Sequence, residues 1–224
     1  MSVHPSRTWL RVLCTSGLAL ALAAVFGPAM ADPVFGFRED WPGTSIQGWG
    51  GGGASGVVLS NPGTGGSLGV GDGYLRVSLS DPGPFGTRST GPEYAGNWLL
   101  AGIEQVRVSV NDVGAPDSLR IHFCVGNTTN FWQHNGGIIP TNGVWREYAI
   151  NLLFSSEFTR IIGSGTFEDA LASTDRILFR SDLPPYIQSP DPAHGEFGID
   201  GLVLTAVATP AKRMTWGRIK ALYR

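Results

Sequence analysis

Gln105-Val106-Arg107-Val108-Ser109-Val110-Asn111 and Leu119-Arg120-Ile121-His122-Phe123-Cys124-Val125 are the two stretches on which the fold turns. In the first, Val106, Val108 and Val110 alternate with Arg107, Ser109 and Asn111; in the second, Leu119, Ile121, Phe123 and Val125 alternate with Arg120, His122 and Cys124. Successive side chains of a strand point to opposite faces, so this period predicts two strands, each with one buried and one polar face. Runs at 57–59, 74–79, 145–152, 176–181 and 197–204, set apart by Gly, Pro, Asn and Asp, read as further strands. Many short strands with such turns predict an all-β, two-sheet antiparallel sandwich whose inward faces make the core. Helix is scarce: the segment 166–172 predicts one short turn, with Thr166 as its cap and Asp169 near the positive end of its dipole. The glycine-rich stretch 48–73 reads as surface loop.

Glycine makes up 32 of 224 residues, yet 42% of the chain is apolar, which supplies a core and argues against wholesale disorder. Residues 1–31 carry Arg7 and Arg11, an apolar run over 12–27, and Ala29-Met30-Ala31, the pattern of a secretory signal peptide cut after Ala31. A retained anchor needs about 20 apolar residues. The expected location is therefore secreted, extracellular or periplasmic. Cleavage leaves Cys124 as the one cysteine, so an intrachain disulfide is excluded from the mature chain. The division is a signal peptide at 1–31, a sandwich domain at 32–207 and a basic tail at 208–224, with no later stretch apolar enough to span a membrane.

Residues 32–209 hold nine Arg, no Lys and 18 acids, net −9, a poor balance for non-specific binding of nucleic acid. Residues 210–224 hold five bases and no acid, and helical spacing places Trp216, Ile219 and Leu222 or Tyr223 on one face. That pattern predicts either a peptide docking on an envelope or sorting partner or a terminus whose bases lie on the acidic domain.

Catalytic motifs are weak. Gly51-Gly52-Gly53-Ala54-Ser55-Gly56 fits a dinucleotide fingerprint, but Val57-Val58-Leu59 follows where a helix is required. Gly65-Gly66-Ser67-Leu68-Gly69 fits a nucleophile elbow, with Asp191 and His194 as nominal partners, but a strand-like run follows it too. Glu39-Asp40 and Glu168-Asp169 are adjacent carboxylates, which says nothing of the spacing across a sugar that a glycosidase needs. His122, His134 and His194 lack zinc spacing, and His122 reads as a half-buried polar residue. Asn127-Thr128-Thr129 marks a loop and a sequon only in a glycosylating host.

Aromatic and polar side chains are more informative. Trp98, Phe131, Trp132, Tyr148 and Tyr186, with Arg107, Arg120, His134, Arg180, Asn97, Asn130 and Gln133, are the types that sugar sites use: rings stack on apolar sugar faces while Arg, Asn and Gln bond hydroxyls. For any single ring, burial in the core is the competing explanation. Phe131 and Trp132 are adjacent, so on a strand they face opposite ways and one of them can point out. The ligand-binding set predicted on these grounds is Trp98, Phe131, Trp132, His134, Arg120 and Arg180.

The order of Tyr74-Leu75-Arg76-Val77, Gly91-Pro92-Glu93-Tyr94-Ala95-Gly96-Asn97-Trp98 and the strand at 105–110 resembles the laminin IV (laminin B) type domain. Trp145-Arg146-Glu147-Tyr148-Ala149-Ile150-Asn151-Leu152, Ile177-Leu178-Phe179-Arg180 and Gly198-Ile199-Asp200-Gly201-Leu202-Val203-Leu204 are similar to strands of galactose-binding-like jelly rolls, including carbohydrate-binding modules. The resemblance covers residues 35–205. It implies a non-catalytic jelly roll that binds carbohydrate or another extracellular polymer, or serves adhesion. It also implies a structural calcium held by Asp200 with Glu39 or Asp40, against which stands simple hydrogen bonding of Asp200 within its strand. A spacer of the cell envelope with a docking tail is the second expectation, and a polysaccharide hydrolase or lyase the third.

Overall fold

The computed structural model describes residues 33–53, 55–115 and 118–207; residues 1–31 and 208–224, expected to be a leader and a tail, lie outside them. Twelve strands run in chain order: β1 (Arg38–Glu39), β2 (Gly50–Gly51), β3 (Val58–Ser60), β4 (Leu75–Pro84), β5 (Gly86–Ser89), β6 (Gln105–Asn111), β7 (Ile121–Asn127), β8 (Asn130–His134), β9 (Arg146–Asn151), β10 (Phe158–Gly163), β11 (Arg176–Ser181) and β12 (Pro192–Thr205). Among the described residues one α-helix, α1 (Phe167–Ala172), lies between β10 and β11, and a 3-10 turn, Ser155–Glu157, precedes β10. The strands form two antiparallel sheets, β3-β4-β12-β6-β9 with β1 added on β12, and β10-β8-β7-β11-β5-β2. This is the expected jelly-roll sandwich.

The alternation in the sequence places the core. Val106, Val108 and Val110 of β6, Leu75, Val77 and Leu79 of β4, and Phe197 and Ile199 of β12 face Ile121, Phe123 and Val125 of β7 and Ile177 and Phe179 of β11 in one buried cluster. Each such side chain contributes roughly 1.5–3 kcal/mol by leaving water. Trp41, Trp49, Tyr94 and Trp98 complete the same cluster from the connecting segments.

Thr166 caps α1 as its position suggested. Its hydroxyl accepts from the Asp169 N–H at 3.0 Å, and the Asp169 carboxylate accepts from the Thr166 N–H at 3.0 Å, a reciprocal pair that satisfies two free donors of the first turn. The helix then buries Phe167, Ala170 and Leu171. The glycine-rich stretch is loop for most of its length, although it contributes the short β2 and β3 and buries Trp49.

One expectation fails on β7. His122 and Cys124, assigned by alternation to a polar outer face, are fully buried. The outer face of this second sheet is itself covered, by Phe131, Ile161 and Leu178 in a second apolar cluster and by the segment 182–191 with Tyr186. Burial pushes the Cys124 thiol up to about 12, so it stays protonated.

Candidate functional site

Two sheets leave two outer faces, and these differ in chemistry. On the first sheet, the outward Arg76 pairs with Glu196 and Arg107 with Glu147, across neighbouring strands. Such a face is a solvated surface of matched charges. On the second sheet, Arg176, Leu178 and Arg180 alternate with the core residues Ile177 and Phe179 and therefore face outward. Arg88 of β5 stands directly opposite Leu178 in the ladder and points the same way.

A cavity of about 300 Å³ opens there, walled by Arg88, Phe131, Ile161, Leu178, Arg176 and Arg180, with Gln188 and Ser189 closing one side. The segment 182–191 that supplies this side is held from beneath. Arg180 donates through Nη1 to the Gln188 carbonyl at 2.9 Å and through Nη2 to the Ile187 carbonyl at 2.6 Å. Nη2 also pairs with Asp182 at 2.7 Å, and Nε donates to Gln133 Oε1 at 2.6 Å. Asp182 in turn accepts from the Leu183 and Asp191 N–H groups at 3.1 Å each, and Tyr186 OH donates to the Asn135 carbonyl at 3.1 Å. Beyond the segment lies a second cavity of about 380 Å³ that holds Arg120, Asp182, Asp191 and His194.

The predicted ligand set is therefore redistributed. Phe131 and Arg180 meet at the first cavity, but Phe131 is only 3% exposed and Arg180 spends four of its five donors on the fold. Arg120 belongs to the other cavity. Trp98 is withdrawn from the set: its ring is 0% exposed and its indole N–H donates to the Tyr94 carbonyl at 2.8 Å. Trp132 and Phe131 do face opposite ways, but Trp132 takes the inner side, because its ladder partner is the core residue Val125. There it meets Phe167 edge-on, bonds Asn130 and carries the Arg160 guanidinium 5.7 Å from its ring centre. His134 packs on Phe158 with Nδ1 2.9 Å from the Gly136 carbonyl. Of the predicted rings, Trp98 and Phe131 are buried and Trp132 is half-buried, so none of the three stands exposed on this face. Arg88, Arg176, Gln188 and Ser189 were not foreseen; an arginine on a four-residue strand without alternation carries no local signal.

The residues expected to hold calcium are each engaged within the protein. Arg38 Nε binds both Asp40 oxygens, at 2.6 and 2.7 Å. Asp200 spends one oxygen on the Ser67 N–H and the other on the Gly201 N–H, at 2.7 Å each, and Glu39 accepts from Tyr94 OH at 3.1 Å. Among the described residues no group of three His, Cys, Asp or Glu is placed to hold a metal ion. The Arg38 guanidinium supplies positive charge here instead, and it is held above its usual value first by the bond to Asp40 and further by Asp200 and Asp72.

Burial lowers His122 and His134 below the usual histidine value of 6.5, against backbone carbonyls that favour the proton. With folded values depressed, the unfolded chain binds the extra protons. Their stability contribution is thus present above pH 6.5 and is lost as pH falls through the folded values. Burial raises Glu39 and Asp200, whose contributions run oppositely, present below 4.5 and 3.8 and fading as pH rises. Between about pH 7 and pH 5 the unfolding free energy, read from urea midpoints, is expected to lose at most about 1.4 kcal/mol per pH unit for each imidazole, a loss that Glu39 and Asp200 offset as far as their raised values reach into that window. His122→Gln should shrink that decline; an unchanged profile would show that His122 does not contribute.

No protein-family model and no curated protein matches the chain. Solved structures match it in fold. A family 11 carbohydrate-binding module of a cellulosomal cellulase of Clostridium thermocellum is 17% identical with a TM-score of 0.52, covering 80% of this chain and 99% of that one. A family 11 module from the same organism, in complex with a β-1,3-1,4-mixed-linked tetrasaccharide, is 18% identical with a TM-score of 0.50, covering 79% and 99%. An exo-β-agarase is 12% identical with a TM-score of 0.52, and the match takes 77% of this chain but 25% of that one. These matches do not confirm the laminin IV resemblance. The shared property is the jelly-roll sandwich.

Proposed function

We propose that the sandwich is a non-catalytic module that binds a polysaccharide chain in the cavity on the outer face of the second sheet. The cavity carries this reading: it is pre-formed, its floor is built on strands, and its rim brings Arg, Gln and Ser groups together over a small apolar base. The fold it shares with carbohydrate-binding modules supports the same assignment. Recognition rests on directional polar groups more than on stacking, since Phe85 and Phe131 at the cavity are buried.

The lining argues against catalysis. Glycoside hydrolysis uses two carboxyls across the scissile bond, and among the described residues no Asp or Glu walls this cavity. The leader-like segment at 1–31 supports a place outside the cytoplasm, and among the described residues no helix is long and apolar enough to cross a membrane.

Retention of the full chain on a panel of neutral and acidic polysaccharides tests the reading. At least one is expected to retain it. Ser189→Trp, which places an indole over the opening from an exposed position, should abolish retention and leave the unfolding midpoint unchanged. Retention on no member of the panel, or retention indifferent to Ser189→Trp, would overturn the assignment.

A further inference from the structure

Charge is distributed unevenly over the arginines. Residues 32–209 hold nine Arg against 18 acids, yet three of those arginines, Arg88, Arg176 and Arg180, line the first cavity, and among the described residues no carboxylate does. Outside the cavity Arg38 meets Asp40, Arg76 meets Glu196 and Arg107 meets Glu147. Arg88 is exposed and makes no ion pair among the described residues. Arg176 pairs with Asp175 through Nε at 2.7 Å and Nη2 at 3.3 Å, which holds the guanidinium in place and spends two of its five donors. Arg180 anchors the wall. A domain of net −9 thus has a pocket with no acid among its described lining residues, edged by the unpaired Arg88 and by Arg176, which Asp175 holds, and the described lining offers no exposed ring for a neutral sugar to stack on.

We infer that the polysaccharide taken by this cavity is anionic, bearing carboxylate or sulfate groups that Arg88 and Arg176 bind. The inference rests on the polysaccharide-binding reading and narrows it. Guanidinium matches a planar carboxylate with two parallel bonds and meets sulfate oxygens with the same donors. The wall segment shields these bonds from water on one side, which strengthens them. The excess of acid elsewhere on the domain repels a polyanion, and so confines it to this face.

Affinity electrophoresis of the full chain separates the possibilities. Polygalacturonate supplies carboxylate, dextran sulfate supplies sulfate, and a β-1,3-1,4-mixed-linked glucan is the neutral control. The expected result is retardation by at least one polyanion, weakening as sodium chloride is raised, and none by the glucan; which polyanion is bound identifies the oxyanion. Arg88→Gln and Arg176→Gln should each weaken binding about tenfold without moving the unfolding midpoint. Salt-insensitive binding of the glucan would overturn the inference and leave the polysaccharide reading standing. Polyanion binding that both variants retain in full would place the contact elsewhere, as on the five bases of 210–224, and would overturn it too. Binding to none of the three, with none in the wider panel, removes both.

Discussion

Arg180→Met is expected to lower the unfolding free energy by about 3–5 kcal/mol, read as a shift of the urea midpoint, which is a large part of the 5–15 kcal/mol that holds a typical domain. The Arg180 and Asp182 side chains are 4% and 1% exposed. Methionine keeps much of the volume but leaves the Asp182 charge buried without its partner, takes the stronger of two donors from Gln133 Oε1, and strands the carbonyls of Ile187 and Gln188. The cost comes from the orphaned partners and not from the pair's own attraction, because desolvating two ions offsets most of what they gain. It follows that Arg180→Met/Asp182→Leu should be less destabilised than Arg180→Met alone. Equal or greater loss in the double variant would mean that the network is not organised around this pair.

The same network explains why the cavity exists. Sheet faces are flat, and a pocket needs a wall. Here the wall is the segment 182–191, tied to the sheet by one guanidinium and one carboxylate at its root and by Tyr186 at its middle. A buried polar network of this kind fixes one conformation of an otherwise irregular segment, since any shift leaves several donors or acceptors unmet. Arg88 and Arg176 stand across from that wall, so the geometry of a site for an anionic chain depends on a residue that need not touch the ligand.

Period two was legible wherever one face is core and the other is not. Val106, Val108 and Val110 alone identify β6, and Thr166 with Asp169 identifies the start of α1. Where pairing is non-local the pattern fades. Gly86-Thr87-Arg88-Ser89 has no apolar alternation, and becomes β5 because β11 and β2 lie on either side of it. Ile161 and Ile162 stand together on β10 because the register shifts between Arg160 and Ile162, and the bulge cancels the period. The site suffers most from this. Sequence shows that Phe131 and Trp132 diverge, but which one faces outward is decided by pairing with Gly126 and Val125 of a neighbouring strand. Composition identified Arg as the residue type to watch and picked Arg180, yet the arginine left free for a ligand is on the strand with the least local signal.

Trp98 provides the sharpest separation of core from site. Its side-chain chemistry suits a sugar platform, but it is enclosed in the core with its N–H bonded, and its backbone N–H donates to the Leu171 carbonyl at 2.9 Å, tying the 94–103 segment to α1. Trp98→Ala is expected to cost about 3–5 kcal/mol, from the lost burial and from a cavity that the two sheets cannot close. The Tyr94 carbonyl also loses its partner. Trp98→Phe, which keeps most of the ring, should cost less and remain folded if the alanine variant does not. In either variant the folded fraction should bind polysaccharide with unchanged affinity, because the ring lies between the sheets and the cavity lies outside them. Lost binding at an unchanged unfolding midpoint would instead return Trp98 to the ligand and remove the outer cavity from consideration.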